Sequence, residues 1–547
     1  MMKRFWNEIR CFLESPTYIF SLLLTAIFSY GFRIFQPSIG IDDTAVELYL
    51  QDGLEVVMGR WTVFLLNKVF HVAEYAPFML EMVGVIFLML GATLFCVLIK
   101  RCMGGTVTEI GGYAVFACIF ISDPIISEVF IYYYHDGVGL GYILTALSLL
   151  AFEEALEREN RKVLFYLSSM LFIWAAVGCY ESFLVLYILG ILVVIFLHGI
   201  AHRDKMKFLF LAKQLTYGAL LVVGCMILRQ IMIPLMTEVF DLHNVVGLKS
   251  QRGLSEMLVL FRGREGWNTF LMLLKRFWVV YYINAVCYLP VTGYVAAICC
   301  VGAVAIALAI MRKNLWYLVL WIGMLIAPFL LTLAEAHVTL YRSCQYLPFF
   351  TALGAFMVYF VLKRGHRYLR YGVMIIAVII TYNQATEMNR NFYINYQKYE
   401  HTKDVLLQVA YEVEKEYGVE KPIVFTGHYD VPYEFVKDYY VGYGSWQYQW
   451  IVKITDPVDP HLKEKYFTPY GYSFVGEAQN PFIQWGLDAF DGTSGQMIRF
   501  LSMHGHTFQT VTDKETLEEA QEQGDNMPRW PMEGSIAEQE SYILIHM

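Results

Sequence analysis

Long apolar segments set the strongest constraint on how this chain can fold. A helix needs about 20 mostly apolar residues to cross the hydrocarbon core of a bilayer. Only 16% of the 547 residues are charged, whereas soluble proteins carry about 25%. The sequence therefore predicts an α-helical polytopic membrane protein. Its eleven predicted spans are 17–35, 77–99, 111–130, 137–153, 163–180, 182–198, 208–232, 284–310, 315–334, 345–362 and 370–385.

Lysine and arginine are concentrated in every second loop between these spans. Basic residues mark the loops that stay in the cytoplasm, so the N-terminus is predicted inside and the C-terminus outside. The first apolar run lacks a small-residue cleavage site, which predicts a retained helix in a multi-pass protein of the cytoplasmic (inner) membrane. The basic loops contain Lys3, Arg4, Arg10; Lys100, Arg101; Arg158, Arg161, Lys162; Arg203, Lys205, Lys207; Arg312, Lys313; and Lys363, Arg364, Arg367, Arg370.

Two local features modify this arrangement. Asp123-Pro124 lies inside the third span and predicts that the helix bends or ends early, because proline cannot donate a helical hydrogen bond. The amphipathic segment 61–74 is expected to lie along the membrane interface. The ten cysteines show no spacing typical of a metal site and are interpreted as buried thiols. The net charge of −8 and the lack of a basic stripe argue against nucleic acid as a partner.

The composition changes near residue 385, which predicts a transmembrane domain over 1–385 and a soluble α/β domain over 386–547 on the outer side. Apolar runs become short after this point, and strand and helix patterns alternate. Helices are predicted over 401–417, 494–504 and 513–523, and strands over 423–425, 508–511 and 542–546.

The first outer loop contains the most informative pair of side chains, Asp42 and Asp43. Carboxylates beside lipid are costly and mark functional sites more often than structural ones. One carboxylate can take the proton from an attacking hydroxyl, and the second can orient the first or hold a divalent cation such as Mg²⁺ or Mn²⁺. The alternative is a solvated turn that caps a helix over 44–54. The pair is predicted to be catalytic, and the metal is left open.

Arg342, at the outer edge of the tenth span, is predicted to bind a phosphate. A planar guanidinium suits a phosphate group and can neutralise a lipid phosphate as it leaves. The alternative is an arginine that extends to lipid headgroups. Asp52 and Arg60 could instead form a plain ion pair, and Glu181 could be a simple helix-end charge. The other predicted substrate-binding residues are His337, Glu335, Arg60, Asp52, Glu181, Asp136 and His135.

These features together resemble a known group of enzymes. An acidic pair in the first outer loop, many spans, an outer arginine and an outer tail resemble the GT-C superfamily of polyprenyl-phosphate-dependent glycosyltransferases. Within it, Gly40-Ile41-Asp42-Asp43 followed by Gly59-Arg60-Trp61 is similar to the bacterial type II glucosyl transferases, which decorate O-antigen and related surface polysaccharides. The resemblance covers roughly residues 10–390.

The resemblance implies that glucose is transferred with inversion from undecaprenyl-phosphate-glucose to a hydroxyl of a surface glycan. The donor would be made by a synthase on the inner face and moved outward by a flippase. Asp42 or Asp43 would match the catalytic carboxylate of the superfamily, and Arg342 would match a phosphate-binding arginine in role.

Two other interpretations remain open at this point. A lipid-linked transferase for another sugar or acceptor would have the same architecture. A transporter or flippase of lipid-linked sugars would show internal repeats and polar residues at mid-membrane. The acids lie at the outer edge and no repeat is evident, which favours the enzyme. No HExxH, GxSxG or kinase motif supports other chemistry.

Overall fold

The computed structural model is mainly helical, with a small sheet near the C-terminus. It describes residues 2–36, 38, 53–70, 78–105, 109–130, 135–158, 160–202, 206–243, 263–278, 281–282, 289–335, 341–362, 367–427, 467–468, 471–472 and 495–547.

The first part of the chain forms helices whose ends follow local sequence signals. A 3-10 turn, Pro124–Ile126, separates two of them, and the Asp123 carboxylate accepts a hydrogen bond from the Ile125 N–H at 3.1 Å. This confirms the prediction that the third helix bends or ends early at Asp123-Pro124, because its α-helical part ends at Ile121. These helices are α1 (Met2–Leu13), α2 (Pro16–Phe35), α3 (Leu54–Val57), α4 (Trp61–Phe70), α5 (Met79–Cys102), α6 (Ile110–Ile121) and α7 (Ser127–Phe130).

The middle of the chain continues as further helices. They are α8 (His135–Glu157), α9 (Lys162–Val177), α10 (Phe183–Ala201), α11 (Phe208–Val239), α12 (Gly263–Trp278), α13 (Leu289–Arg312), α14 (Trp316–Ile326), α15 (Phe329–Glu335), α16 (Tyr346–Leu362) and α17 (Arg367–Glu416). The last is one continuous helix of 50 residues. The predicted domain boundary at 385/386 therefore falls inside α17, and the division into two domains stays a prediction.

Within the described residues, seven helices are long and apolar enough to cross a membrane. Three shorter apolar helices, α9, α14 and α16, accompany them. These helices agree with a polytopic, membrane-associated protein, while the count of eleven and the orientation stay predictions. The seven are Pro16–Phe35, Met79–Cys102, Ile110–Phe130, Gly137–Glu157, Phe183–Ala201, Phe208–Val239 and Leu289–Arg312.

The bundle buries aromatic side chains inside and exposes apolar ones outside. On α2, Tyr18 and Tyr30 are fully buried, whereas Phe20, Ile27 and Phe28 are each more than 60% exposed. An apolar outer surface of this kind is stable in lipid rather than water. One hydrophobic core extends through the bundle.

The C-terminal part has its own small core against the end of α17. Strand β1 (Ile423–Thr426) pairs in parallel with β5 (Ile543–His546), which also pairs antiparallel with β4 (Ile536–Glu538). The remaining elements are the two-residue strands β2 (Phe467–Thr468) and β3 (Gly471–Tyr472) and helices α18 (Gly495–Met503) and α19 (Lys514–Gly524).

Most predicted elements of this part are confirmed. Helices over 401–417, 494–504 and 513–523 and strands over 423–425 and 542–546 agree with α17, α18, α19, β1 and β5. The predicted strand over 508–511 is wrong as a full strand, because only Thr510 forms a single parallel bridge, to Ile423. Strand β4 was not predicted.

The bundle has two ends, each defined by the residues that lie there. The first-loop end contains Phe35, Gly53 and Gly178. The basic end contains Arg101 and Arg312, and it is the end that the loop charges predict to be cytoplasmic.

Candidate functional site

The structure describes only part of the predicted site. The side chains of Arg60, Glu181 and Arg342 are described. Asp42, Asp43, Asp52 and His337 lie outside the described residues, and so do the side chains of His135, Asp136 and Glu335, which occur in described helices. The catalytic role of the aspartates therefore stays a prediction, and so does any Mg²⁺ or Mn²⁺ bound to them.

A buried ion pair holds the start of the first loop. Arg33, in the last turn of α2, lies 3.0 Å from Glu81 of α5, and the two residues are 3% and 5% exposed. Arg33 also donates to the Ser38 backbone oxygen at 2.9 Å, and Asn395 of α17 donates to the Ser38 hydroxyl at 2.7 Å. Three helices thus fix the chain just before residues 39–52.

The other end of the same loop is held by a second buried carboxylate. Glu55 of α3 is 7% exposed and accepts a hydrogen bond from the Asn67 side chain at 2.9 Å. Its backbone oxygen accepts from the Arg60 N–H at 2.6 Å. Contacts within the bundle therefore fix the described residues that flank positions 39–52 in the chain.

Helix α4 packs on the turn that joins α9 to α10. The Trp61 and Trp174 rings are 5.6 Å apart, and Trp61 is 1% exposed. Thr62 donates through its hydroxyl to the Ala175 oxygen at 2.8 Å and through its N–H to the Gly178 oxygen at 3.0 Å. Gly178 must be small here, since an added Cβ would lie 2.6 Å from the indole Nε1 of Trp61. Trp61 is a packing anchor inside the bundle.

This packing places Arg60 over an aromatic ring next to the outer turn. The Arg60 guanidinium carbon lies 4.8 Å from the centre of the Tyr180 ring, a distance typical of a cation–π interaction. The Arg60 Nε is buried and has no hydrogen-bond partner among the described residues. The Tyr180 hydroxyl shares a 3.1 Å hydrogen bond with Ser343, the neighbour of Arg342. Tyr180 therefore connects Arg60 with the backbone segment that contains Arg342.

Glu181 belongs to the same cluster through a residue that the sequence analysis missed. Its carboxylate lies 3.5 Å from the Arg229 guanidinium, and Arg229 of α11 is 8% exposed. Gly59, with φ of +83°, lies against this guanidinium. A lone arginine inside a long apolar helix is itself a sign of function, and that signal could have identified Arg229.

The backbone around Arg342 is fixed by neighbours in the bundle core. Gln345 donates to the Arg342 oxygen at 2.5 Å, and the Tyr142 hydroxyl donates to the Gln345 side-chain oxygen at 2.6 Å. Cys344 and the Tyr281 hydroxyl are 2.8 Å apart. These hydrogen bonds hold residues 342–345 in place beside Tyr180.

The cluster is cationic at the first-loop end. The Arg60 guanidinium lies over the Tyr180 ring, the Arg229 guanidinium lies beside Glu181, and the Tyr180 hydroxyl is bonded to Ser343, the neighbour of Arg342. Guanidinium groups in such a setting suit a phosphate, which can accept several of their hydrogen bonds. Arg60 is therefore a candidate contact for an anion. Of the predicted residues, Arg60 and Glu181 lie in this cluster, and Arg342 follows Tyr341 next to Ser343, which bonds to Tyr180.

One family model matches the chain. Its description is glucosyl transferase GtrII, and the match covers residues 31–359, which is more than half of the chain. The match includes the first loop, the Tyr180 turn, Arg229 and Arg342. No curated protein and no solved structure matches the chain.

Proposed function

The chain belongs to the glucosyl transferase GtrII family, and we propose that it transfers glucose from undecaprenyl-phosphate-glucose to a hydroxyl of a cell-surface polysaccharide. Its family supports a glycosyltransferase activity, and its apolar helices indicate membrane association.

One observation carries the proposal. Arg60, with a buried Nε that no described residue satisfies, lies over Tyr180, and Tyr180 is bonded to the neighbour of Arg342. A buried donor without a partner costs free energy unless a ligand satisfies it. A phosphate on a lipid-linked sugar would satisfy it, and a site among long apolar helices suits a donor that is carried in the membrane.

The proposed chemistry is a single displacement. A carboxylate of Asp42 or Asp43 takes the proton of the acceptor hydroxyl as its oxygen attacks the anomeric carbon of glucose. The bond from that carbon to the phosphate oxygen breaks, and the anomeric configuration inverts. Negative charge grows on the leaving phosphate, where Arg60 and Arg342 stabilise it. Glu181 pairs with Arg229, which lies against Gly59, and this ion pair positions the Arg229 guanidinium in the site.

A divalent cation is compatible with this scheme. Carboxylate oxygens are the ligands that Mg²⁺ and Mn²⁺ prefer, so Asp42 and Asp43 are the residues that would hold one. Bound there, it would supply further positive charge for the phosphate.

The proposal includes a cellular setting. The donor would come from a synthase and a flippase, and the reaction would take place on the outer face of the cytoplasmic membrane, with O-antigen or a similar glycan as acceptor. The loop charges and the placement of Asp42 and Asp43 support this side.

The test uses membranes that contain the full-length protein and undecaprenyl-phosphate-glucose with radiolabelled glucose. Arg60→Ala and Arg342→Ala are compared with Arg390→Ala, whose side chain is 58% exposed on α17. Loss of a charge-assisted hydrogen bond costs about 1.5–3 kcal/mol, so the donor KM is expected to rise about 10- to 150-fold in the first two variants.

Two results would contradict the proposal. An unchanged donor KM in both Arg60→Ala and Arg342→Ala would remove the phosphate site. Transfer by the wild type from another lipid-linked sugar, with none from the glucose donor, would assign a different donor. If no sugar donor supports transfer, the result would favour the interpretation of the protein as a transporter of lipid-linked sugars.

A further inference from the structure

A cluster of metal-binding side chains lies at the basic end of the bundle, away from the candidate site. His198 and His202 are one turn apart at the end of α10, and Glu157 is the last residue of α8. One possible ligand atom from each lies within 4.8 Å of those from the other two. No other group of three His, Cys, Asp or Glu side chains in the described ranges meets this criterion.

The distances agree with those between the ligands of one tetrahedral ion. A zinc ion with bonds of about 2.0–2.1 Å holds neighbouring donor atoms about 3.3–3.4 Å apart. The Glu157 Oε1 lies 3.3 Å from the His198 Nδ1 and 3.6 Å from the His202 Nε2. Both distances exceed the 2.7–3.2 Å range of ordinary N–H···O hydrogen bonds, so a direct hydrogen bond describes them less well.

The surroundings favour a cation. Glu154 precedes the cluster on α8 and contacts Arg101 at 2.9 Å and Arg158 at 2.6 Å. Glu8 and Glu153 add two more carboxylates around the same Arg101. Counting Glu8, Glu153, Glu154 and Glu157 against Arg101, Arg158 and Arg312, the carboxylates exceed the guanidinium groups by one.

The cluster is held rigidly yet is open on one side. Arg312 donates to the Gly199 and Ile200 oxygens at 2.7 and 2.9 Å, which fixes the last turn of α10. The His198 side chain is 2% exposed, whereas those of His202 and Glu157 are 38% and 37% exposed. An ion can therefore reach the site from water, and a water molecule can complete its coordination.

We propose that Glu157, His198 and His202 bind one divalent first-row transition-metal ion, with zinc as the best fit. Two imidazoles and a carboxylate are typical zinc ligands. The ion joins the ends of α8 and α10. These two helices are separated along the chain by α9 and by the turn that contains Tyr180. Its role is structural, because it lies at the opposite end of the bundle from the candidate site.

This cluster is hard to recognise in the sequence. It contains no cysteine pair and no Cys/His spacing, and its third ligand is a glutamate 41 positions before the first histidine. His198 and His202 have the four-residue spacing that places two side chains on one face of a helix, which is the one signal that the sequence contains.

The test measures metal content and stability in purified full-length protein that carries a purification tag without histidine. The protein is stripped with a chelator, loaded with Zn²⁺ or Mg²⁺, and analysed by elemental mass spectrometry, calorimetry and thermal unfolding. Glu157→Gln and His202→Ala are the variants, since both positions are partly exposed and should fold. His243→Ala is the matched control, because the His243 side chain is 52% exposed and its ion-pair partner within the described residues is Glu238, at 3.5 Å.

The wild type and His243→Ala are expected to bind one zinc ion per chain and to unfold at a higher temperature with Zn²⁺ than with Mg²⁺. Glu157→Gln and His202→Ala are expected to bind zinc at least about tenfold more weakly, because even loss of an outer-shell partner costs about 10- to 100-fold. Zinc content that is equal in all four proteins, or absent from the wild type, would overturn the proposal.

Discussion

Gly59 offers a sharp test of how the site is built. Its φ is +83°, and a Cβ added there would lie 2.5 Å from Nη2 and 3.2 Å from Cζ of Arg229. Gly59→Ala therefore has two separate costs. The left-handed backbone costs about 1–2 kcal/mol for a residue with a side chain, and overpacking adds about 1–3 kcal/mol.

Gly105→Ala separates these two costs. Gly105 has a φ of +68°, and an added Cβ would meet nothing within 4 Å. This variant therefore bears only the backbone cost. The difference between the two variants reports the displacement of Arg229, which is 8% exposed and has little room to move away from Glu181.

The assay is glucose transfer in membranes, normalised to folded protein by size-exclusion chromatography. Gly59→Ala is expected to transfer glucose about 5- to 150-fold more slowly than Gly105→Ala, which corresponds to about 1–3 kcal/mol. In an Arg229→Ala background the same change should have little further effect. Equal rates in the two glycine variants, or an undiminished effect without Arg229, would refute the reasoning.

Three more predictions concern other contacts. Tyr180→Phe loses about 0.5–1.5 kcal/mol from the bond to Ser343, and Tyr180→Leu loses the ring interaction as well, so the donor KM should rise further in the second variant. Arg33→Met leaves Glu81 buried without its ion-pair partner and should destabilise the protein by about 3–5 kcal/mol in thermal unfolding. Asp513→Ala should speed amide exchange in the helix that follows it, whereas Asp513→Asn should not, because asparagine also caps helices.

Controls and contrary results differ for each. A donor KM that is the same for both Tyr180 variants would exclude the ring from the site. The control is Arg10→Met, because Arg10 forms an exposed ion pair with Glu14, and this variant should change the free energy of unfolding by at most about 1 kcal/mol. If Arg33→Met changed the free energy of unfolding no more than Arg10→Met does, the buried-pair argument would be contradicted. Unchanged amide exchange in Asp513→Ala would show that the cap is dispensable.

The cap at Asp513 also fixes the sign of a pH effect. Hydrogen bonds from the Thr516 side chain and N–H lower the pKa of the Asp513 carboxyl below its ordinary value of 3.8. Because the folded pKa is the lower one, the cap stabilises the helix at neutral pH. This contribution is lost as the pH falls below 3.8 towards the lowered pKa.

Local sequence signals predicted the helical fold well. Asp123-Pro124 predicted a break because proline acts on its own turn of the helix, and the break occurs there. Strand β4 was missed because it has only three residues, Ile536–Glu538. It is held by pairing with β5 rather than by a pattern of its own.

The candidate site was predictable in part. Arg60, Glu181 and Arg342 were identified from charge at the edges of apolar spans, which is a local property. Their connection through Tyr180 depends on how α4, the α9–α10 turn and residues 341–343 pack together, and spacing along the chain does not contain that information. Arg229 was missed because it lies inside a predicted span rather than at its edge.

In the proposed reaction, a first-loop aspartate activates the acceptor for transfer from a lipid-linked glucose donor. The most direct measurement is radiolabelled glucose transfer from undecaprenyl-phosphate-glucose into surface polysaccharide with wild type, Asp42→Asn, Asp43→Asn and the exposed control Glu238→Gln. At least one aspartate variant is expected to fold normally but to transfer glucose about 10²- to 10⁴-fold more slowly, while the control retains the wild-type rate. Full transfer by both aspartate variants would contradict the proposed reaction.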